Sequence, residues 1–472
     1  MKSVQRSQTS RRAFLKMSSV VGGFFVLPSG LWSNPPNSKI CIAHIGVGGM
    51  GGHQLRAIGK NPKVEVVALC DVDFVSSEMQ AKQQEYPSAR TFHDYREMFA
   101  VMGDKIDAVG IATPDHTHYP ATLAAMKLGK HVYTQKPLTH NIAEARHLME
   151  LDRESKLVTQ MGIQHHSGLT YRIATKYLRD GIIGKVSKVY VWSHKVYGYD
   201  GPRYTEENPV PENLDWNLWL GVAPVRPYVK GKYHPLAWRN YLDFGAGTLG
   251  DMGVHIFDTP FNSLRLDAPK WVKSTCREPT GFGFPTKNKV EYGFGETEYT
   301  TKELLWTWYD GEAAAPVDEP DCKLPDMKLP RQGAIFVGEK GRILLPHTGG
   351  PRFYPVEIQR SLPPHGVPKG GDHISQFIQA IPGTTKTSAG FDYAARLTEV
   401  VLLGTISGRF PGKTLQWDSA NMKFPNMPEA DQYVRREHRD MDKDKAVYET
   451  TKASQPKNKI QLEGKENAQK KG

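Results

Sequence analysis

Cysteine is scarce in this chain. Four residues among 472, Cys41, Cys70, Cys276 and Cys322, are too few and too scattered for a disulfide framework, and no C-x-x-C pair is present to hold zinc. Long hydrophobic runs are lacking too: the one candidate, MSSVVGGFFVL after Lys16, is shorter than a bilayer span and interrupted by glycine. The net charge of +11 lacks a nucleic-acid pattern. Much of the lysine excess sits in the final TTKASQPKNKIQLEGKENAQKKG, which has almost no aromatic or apolar side chains and reads as a solvated tail. Histidines are plentiful, among them His116, His118, His165, His166 and His194, but their spacing matches neither a zinc finger nor H-E-x-x-H, so no metal centre is expected. With 39% hydrophobic and 24% charged residues, the rest is ordinary globular protein, long enough for two or three domains.

The N-terminus stands apart. Ser10 to Lys16 read SRRAFLK, followed by the modest apolar run and then PSGLWSNPPNS. A paired arginine ahead of such a run is the address read by the twin-arginine export machinery. Residues 1–37 are therefore expected to be signal and linker, with the protein exported to the periplasm. Because no A-x-A cleavage site follows, the mature start stays open, and an uncleaved signal would leave the protein membrane-anchored. This route carries folded proteins, which suits one that binds its cofactor before leaving.

The first folded segment carries the strongest signal. KICIAHI is of strand length and runs into Gly46-Val47-Gly48-Gly49-Met50-Gly51 and then into the helix-like HQLRAIGK. This is G-x-G-x-x-G between strand and helix, the Rossmann dinucleotide fingerprint. Its first glycine permits the tight turn, the second lets backbone approach a pyrophosphate, and the third lets helix and strand pack closely. The helix N-terminus adds unpaired N–H groups. A second strand, VEVVALC, ends at Asp71, where an acid meets the adenosine ribose. A carboxylate there accepts from a 2′-hydroxyl and repels a 2′-phosphate, and Val72-Asp73 supply no arginine, so NAD is favoured over NADP.

Strand and helix patterns keep alternating: DAVGIAT, PATLAAMKLGK, HVYTQKP, NIAEARHLMELDRESK, LVTQMG. Such βαβ repetition implies a mostly parallel sheet covered on both faces, with ligands beyond the carboxyl ends of its strands. Thr113, Pro114, Asp115 and His118 sit at one such end, Gln135 and Lys136 at the next, and Gln164, His165 and His166 at a third. All except His166 are taken as candidates for the crevice: His165 for substrate, the others for the cofactor together with Gly46, Gly48, Gly49, Met50, Gly51 and Asp71.

With these motifs in order, the chain resembles the Gfo/Idh/MocA family of oxidoreductases. The resemblance rests on the glycine loop, TPDHTH, Gln135-Lys136-Pro137 and Gly250-Asp251-Met252-Gly253-Val254-His255, and continues through IFVGEKGRIL to the W-D segment ending near Asp418. It implies an α/β protein: a Rossmann dinucleotide-binding domain over 38–160, then an α+β domain over 161–430 with a large, mainly antiparallel open sheet for substrate binding and oligomerisation. A charged tail over 431–472 would close the chain. It also implies that Lys136, Asp251 and His255 stand beside the nicotinamide. Here Gln135 replaces the family's usual glutamate, leaving a neutral amide to do whatever the carboxylate does.

The chemistry of these residues agrees independently. Aspartate and histidine four apart on a helix share a face, so Asp251 is expected to support His255. A histidine titrating near neutrality can take a proton from an alcohol as its hydride leaves, and Lys136 would bind the same oxygen. Without a cofactor site ahead of them, Asp251 and His255 would read equally well as a helix-capping acid and a core histidine. Trp192, Trp216, Trp219, Trp238 and Arg239 are open to two readings, a sugar-binding surface or simple core filling. His165 is the preferred substrate contact after the central residues, Arg239 the next.

The expectation is an NAD(P)-dependent oxidoreductase acting on a hydroxyl of a sugar, glycoside or cyclic polyol, with tightly held NAD. It would form a homo-oligomer through the second sheet, whose exposed face needs cover. Two alternatives stay open: a glycoside hydrolase that uses NAD transiently by oxidation and elimination, and a nucleotide-containing binding protein without chemistry, which Gln135 keeps in view.

Overall fold

A computed structural model describes residues 39–441 apart from 75, 326, 327 and 363–367. The signal placed at residues 1–37 and the tail from 442 onward lie outside the described residues.

The expected strands form: β1 (Ile40–Ile45), β2 (Val64–Cys70), β3 (Arg90–Phe92), β4 (Ala108–Ile111), β5 (His131–Thr134) and β6 (Thr159–Met161). Strands covered on both faces are apolar throughout rather than alternating, and β4 is buried at every position. The sheet is parallel with order β3-β2-β1-β4-β5-β6. Strand order reverses between β1 and β4, and there the crossover helices part to leave a crevice. Helix Ile142–Glu154 begins with a reciprocal cap, Asn141 accepting from the Glu144 N–H and Glu144 from the Asn141 N–H.

The expected boundary at residue 160 is too simple. Helix Met50–Gly59 turns Leu55 and Ile58 toward Ile374, Phe377 and Ile378 of helix His373–Ala380. Helix Phe391–Ser407 lies along Ile142–Glu154, where Arg146 pairs with the buried Glu399. A parallel sheet needs cover on both faces, and the chain returns late to supply it. Nor does the tail begin at 431. The Ala143 N–H donates to the Val434 carbonyl at 3.0 Å, His438 Nε2 lies 2.7 Å from Glu144 Oε1, and Arg439 donates to Asn217 Oδ1 at 2.7 Å.

The second sheet comprises β7 (Val186–Ser193), β8 (Trp271–Cys276), β9 (Asn288–Phe294), β10 (Thr300–Asp310), β11 (Gln332–Gly338), β12 (Arg342–Pro346), β13 (Arg352–Tyr354) and β14 (Thr414–Gln416). Its order is β13-β12-β11-β7-β10-β9-β8-β14, with only the β7–β10 pair parallel. One face buries Trp306 and Trp308 against Phe257 of helix Val254–Ser263. On the other, Tyr190, Trp192, Ile335 and Leu344 pack under Ala314, Cys322 and Leu324. At this end the sheet's apolar face is thus covered by the chain's own excursion, which leaves less of it to need a second copy.

The tryptophans resolve toward core. Trp192, Trp216, Trp219 and Trp238 are all buried, and Trp216 stacks on Trp219 with ring centroids 4.6 Å apart.

Candidate active site

The glycine loop is shaped by contacts that no side chain could share. Gly46 and Gly49 take φ of 83° and 50°, conformations costly for residues with a Cβ. A Cβ on Gly51 would lie 2.1 Å from the Gly46 carbonyl oxygen, and one on Gly46 would lie 2.6 Å from that of Ala112. The following helix, Met50–Gly59, has neither a side-chain cap nor an acid in its first turn, so its N-terminus favours an anion. One has come to it: the Gly49 N–H donates to Glu78 Oε2 at 2.9 Å. The loop therefore fits a diphosphate in both shape and polarity.

Asp71 leaves β2 with its carboxylate turned to this loop, accepting from the Val47 N–H at 2.8 Å and the Asp73 N–H at 3.0 Å. Burial pushes its pKa up. A strap drawn from residues 196–245 crosses the same exits. The Asp215 N–H donates to the Val72 carbonyl at 3.0 Å and the Phe74 N–H to that of Asn213 at 3.2 Å. His234 Nδ1 accepts from the Trp219 indole at 3.1 Å, which leaves Nε2 to carry the proton and donate to Asp73 at 2.9 Å. The strap also grips the exit of β4, where the His116 N–H donates to the Phe244 carbonyl at 3.1 Å.

The residues expected to line the cofactor crevice divide. Thr113 keeps a buried hydroxyl that has no partner among the described residues. His118 and Asp115, expected to meet the cofactor, are engaged by the protein's own backbone. The His118 ring nitrogens lie 2.7 Å from the Pro137 carbonyl and 2.9 Å from that of Thr113, and burial lowers its pKa to about 4. Asp115 accepts from the Ala246 N–H at 3.1 Å, and burial pushes its carboxyl up to about 7. Both lie on the first turn of helix Asp115–Lys127, on the side turned to the protein interior; they hold the walls of the crevice. Gln135 is buried and donates to Gln54 Oε1 at 2.8 Å. Pro114 leads into that helix and Gln164 opens the turn after β6, while Met50, between Gly49 and Gly51, is exposed at the start of helix Met50–Gly59.

Lys136, leaving β5, meets Asp251 from far along the chain: its Nζ lies 2.7 Å from Asp251 Oδ1 and donates to the Asp251 carbonyl at 3.0 Å. Arg239 reaches the same carboxylate oxygen at 3.0 Å, its guanidinium 4.2 Å above the Trp238 ring. Burial alone would push the Asp251 carboxyl up, but these two cations pull it well below the usual carboxylate range.

Asp251 does not support His255 as expected. Leu249–Gly253 form a π-helical turn that runs into helix Val254–Ser263, and this wider turn breaks the register in which positions four apart stack. The carboxylate goes to Lys136 and Arg239, and His255 Nδ1 is buried without a partner among the described residues. Burial, then the nearby Lys136 and His347, hold the His255 ring neutral, well below the ordinary histidine range.

His165 does enter this group. Its ring centroid lies 6.1 Å from that of His255 and 4.5 Å from that of His347. His347 and Tyr171 are the residues that sequence reasoning misses. The only signal for His347 is a histidine directly beyond the buried strand RILLP, in a region without a glycine motif to mark it.

A parallel sheet with a glycine cradle lies beside a mixed sheet whose helix carries Asp251 to Lys136, the two-part architecture of a nucleotide-binding α/β protein. Residues 40–163 match the model of the oxidoreductase family, NAD-binding Rossmann fold, and residues 168–275 match that family's C-terminal alpha/beta domain. The chain belongs to the Gfo/Idh/MocA oxidoreductase family. It is similar to inositol 2-dehydrogenase/D-chiro-inositol 3-dehydrogenase of Lactiplantibacillus plantarum, at 28% identity over 38% of this chain and 51% of that protein. It is also similar to D-glucoside 3-dehydrogenase of Escherichia coli, at 27% identity over 52% of this chain and 62% of that one. The chain thus spans about half the length of the curated relatives it matches. In fold it resembles WlbA dehydrogenase of Bordetella pertussis, solved in complex with NADH and UDP-GlcNAcA. That likeness has a TM-score of 0.57 and 14% identity, and covers 80% of this chain and 99% of that one.

Proposed function

We propose that this protein is an NAD-dependent oxidoreductase moving a hydride between a hydroxyl of a sugar, glycoside or cyclic polyol and the cofactor. The observation that carries the reading is the meeting of Lys136 with Asp251 and His255 at the exit of β5, where strand ends and nucleotide crevice coincide. Bound NAD would supply the hydride acceptor. The neutral His255 ring takes the hydroxyl proton. Lys136, held in place by Asp251, donates to the oxygen as negative charge grows on it.

Relatives named as inositol and glucoside dehydrogenases support the substrate class. The Asp71 carboxylate supports NAD over NADP, and the strap bonded to Val72, Asp73 and Phe74 supports tight holding of the cofactor. SRRAFLK supports twin-arginine export to the periplasm. The test is a panel of glycosides and polyols offered to the purified full chain with NAD. Ketosugar formed in step with NADH is expected; aglycone released with no net NADH, or no reaction with any member, would overturn the reading. Tighter binding of NADP than NAD would overturn the cofactor choice.

A further inference from the structure

Resting on the oxidoreductase reading, we propose that His347 and His165 form a second hydroxyl subsite beside the reacting centre. The substrate is then a polyol with adjacent hydroxyls, and His347 decides which of the pair stands at His255.

Three imidazoles from separate parts of the chain gather here: His165 on the turn Gln164–Ser167, His255 on helix Val254–Ser263 and His347 on the loop leaving β12. The His347 and His255 ring centroids are 5.9 Å apart. His347 is held from two sides. Its backbone N–H donates to the Gln332 carbonyl at 3.1 Å, and its Nδ1 lies 3.1 Å from the Tyr171 hydroxyl. Tyr171 is buried, and its hydroxyl is also 3.3 Å from the His255 carbonyl. One phenol thus ties the His347 ring to the helix that carries His255.

With Nδ1 engaged, Nε2 is the nitrogen His347 keeps for a ligand, and among the described residues neither ring nitrogen of His165 has a protein partner. Burial lowers the pKa of His165 and takes that of His347 to about 4, so both rings are neutral at pH 7. The neutral His165 ring offers one donor and one acceptor and His347 adds its Nε2, groups that suit hydroxyls, whereas a phosphate or carboxylate would call for cations. Imidazole nitrogens reach about 2.9 Å to an oxygen, so two rings at this spacing can hold neighbouring hydroxyls of one ring together. Clustered imidazoles also suit a metal ion, but among the described residues no three His, Cys, Asp or Glu side chains are arranged to hold one.

The test uses the full chain with NAD, methyl β-D-glucopyranoside and myo-inositol as probes, and the 2-, 3- and 4-deoxy analogues of the glucoside. For His347→Ala we expect kcat/KM on the parent glucoside to fall about 10- to 100-fold. On the analogue that lacks the hydroxyl next to the oxidised carbon, wild type and variant should become equal, with NAD binding unchanged in both. Tyr171→Phe, which frees the His347 ring without removing it, should move the same ratio less. An equal loss on the parent and every analogue would overturn the subsite, as would an unchanged parent rate or a stoichiometric metal ion that His347→Ala loses. A wild-type chain that reduces no NAD with any probe defeats the oxidoreductase reading itself, and the subsite with it.

Discussion

The glycine loop and the cluster around Lys136 and His255 lie side by side, yet they are assembled differently. Between Gly46 and Asp71 one strand, one helix and a second strand bring the glycine loop and the ribose acid together, closed by a Val47 N–H bond of 2.8 Å to Asp71. The other site takes Lys136 from a parallel strand, Arg239 from the strap, Asp251 and His255 from a π-turn and its helix, and His165 and His347 from two further loops. The first depends on local backbone geometry. The second depends on two sheets docking correctly, so it can be lost without disturbing nucleotide binding.

The sharpest test of that separation is His255→Ala. Turnover should fall about 10²- to 10⁴-fold while NAD titration stays as in the wild type; matching losses in both would show that the two sites are one unit. Next is Gly51→Ala, whose Cβ would press on the Gly46 carbonyl from 2.1 Å. Overpacking of that kind costs about 1–3 kcal/mol, so NAD should bind about 5- to 150-fold more weakly, as read by fluorescence titration. Unchanged affinity would mean that the loop opens freely.

The pH profile separates the sites more gently. Because the His255 pKa is lowered, its ring stays deprotonated as pH falls through the ordinary histidine value of 6.5. The acid limb of kcat/KM should therefore begin well below pH 6.5, and a limb at 6.5 would point to another base. The smallest effect is expected from Glu78→Ala. Its carboxylate occupies the Gly49 N–H that a diphosphate would use, so removing it should tighten NAD by about two- to tenfold, the worth of about 0.5–1.5 kcal/mol for one hydrogen bond.

Legibility follows the same division. Gly46, Gly48, Gly51 and Asp71 were readable because their spacing is set within one βαβ unit. Short motifs in order name Lys136, Asp251 and His255 as candidates, but the bond from Asp251 to Lys136 rather than His255 is not legible, because nothing in GDMGVH announces a π-turn. The backbone partners of Asp115 and His118 are not legible for a related reason: a helix start shows which residues stand near a strand end, not which side of the first turn faces the protein.

By itself the chain's pattern determined that a parallel α/β unit would form and that its first turn would cradle a dinucleotide, since hydrophobic period and glycine conformation act over neighbouring residues. Only the tertiary structure decided that helices from 373–407 complete that unit, that the strap closes on Asp73, and that His347 joins His165 and His255. Those contacts come from burying one surface against another across hundreds of residues, and no local preference encodes which surfaces will meet.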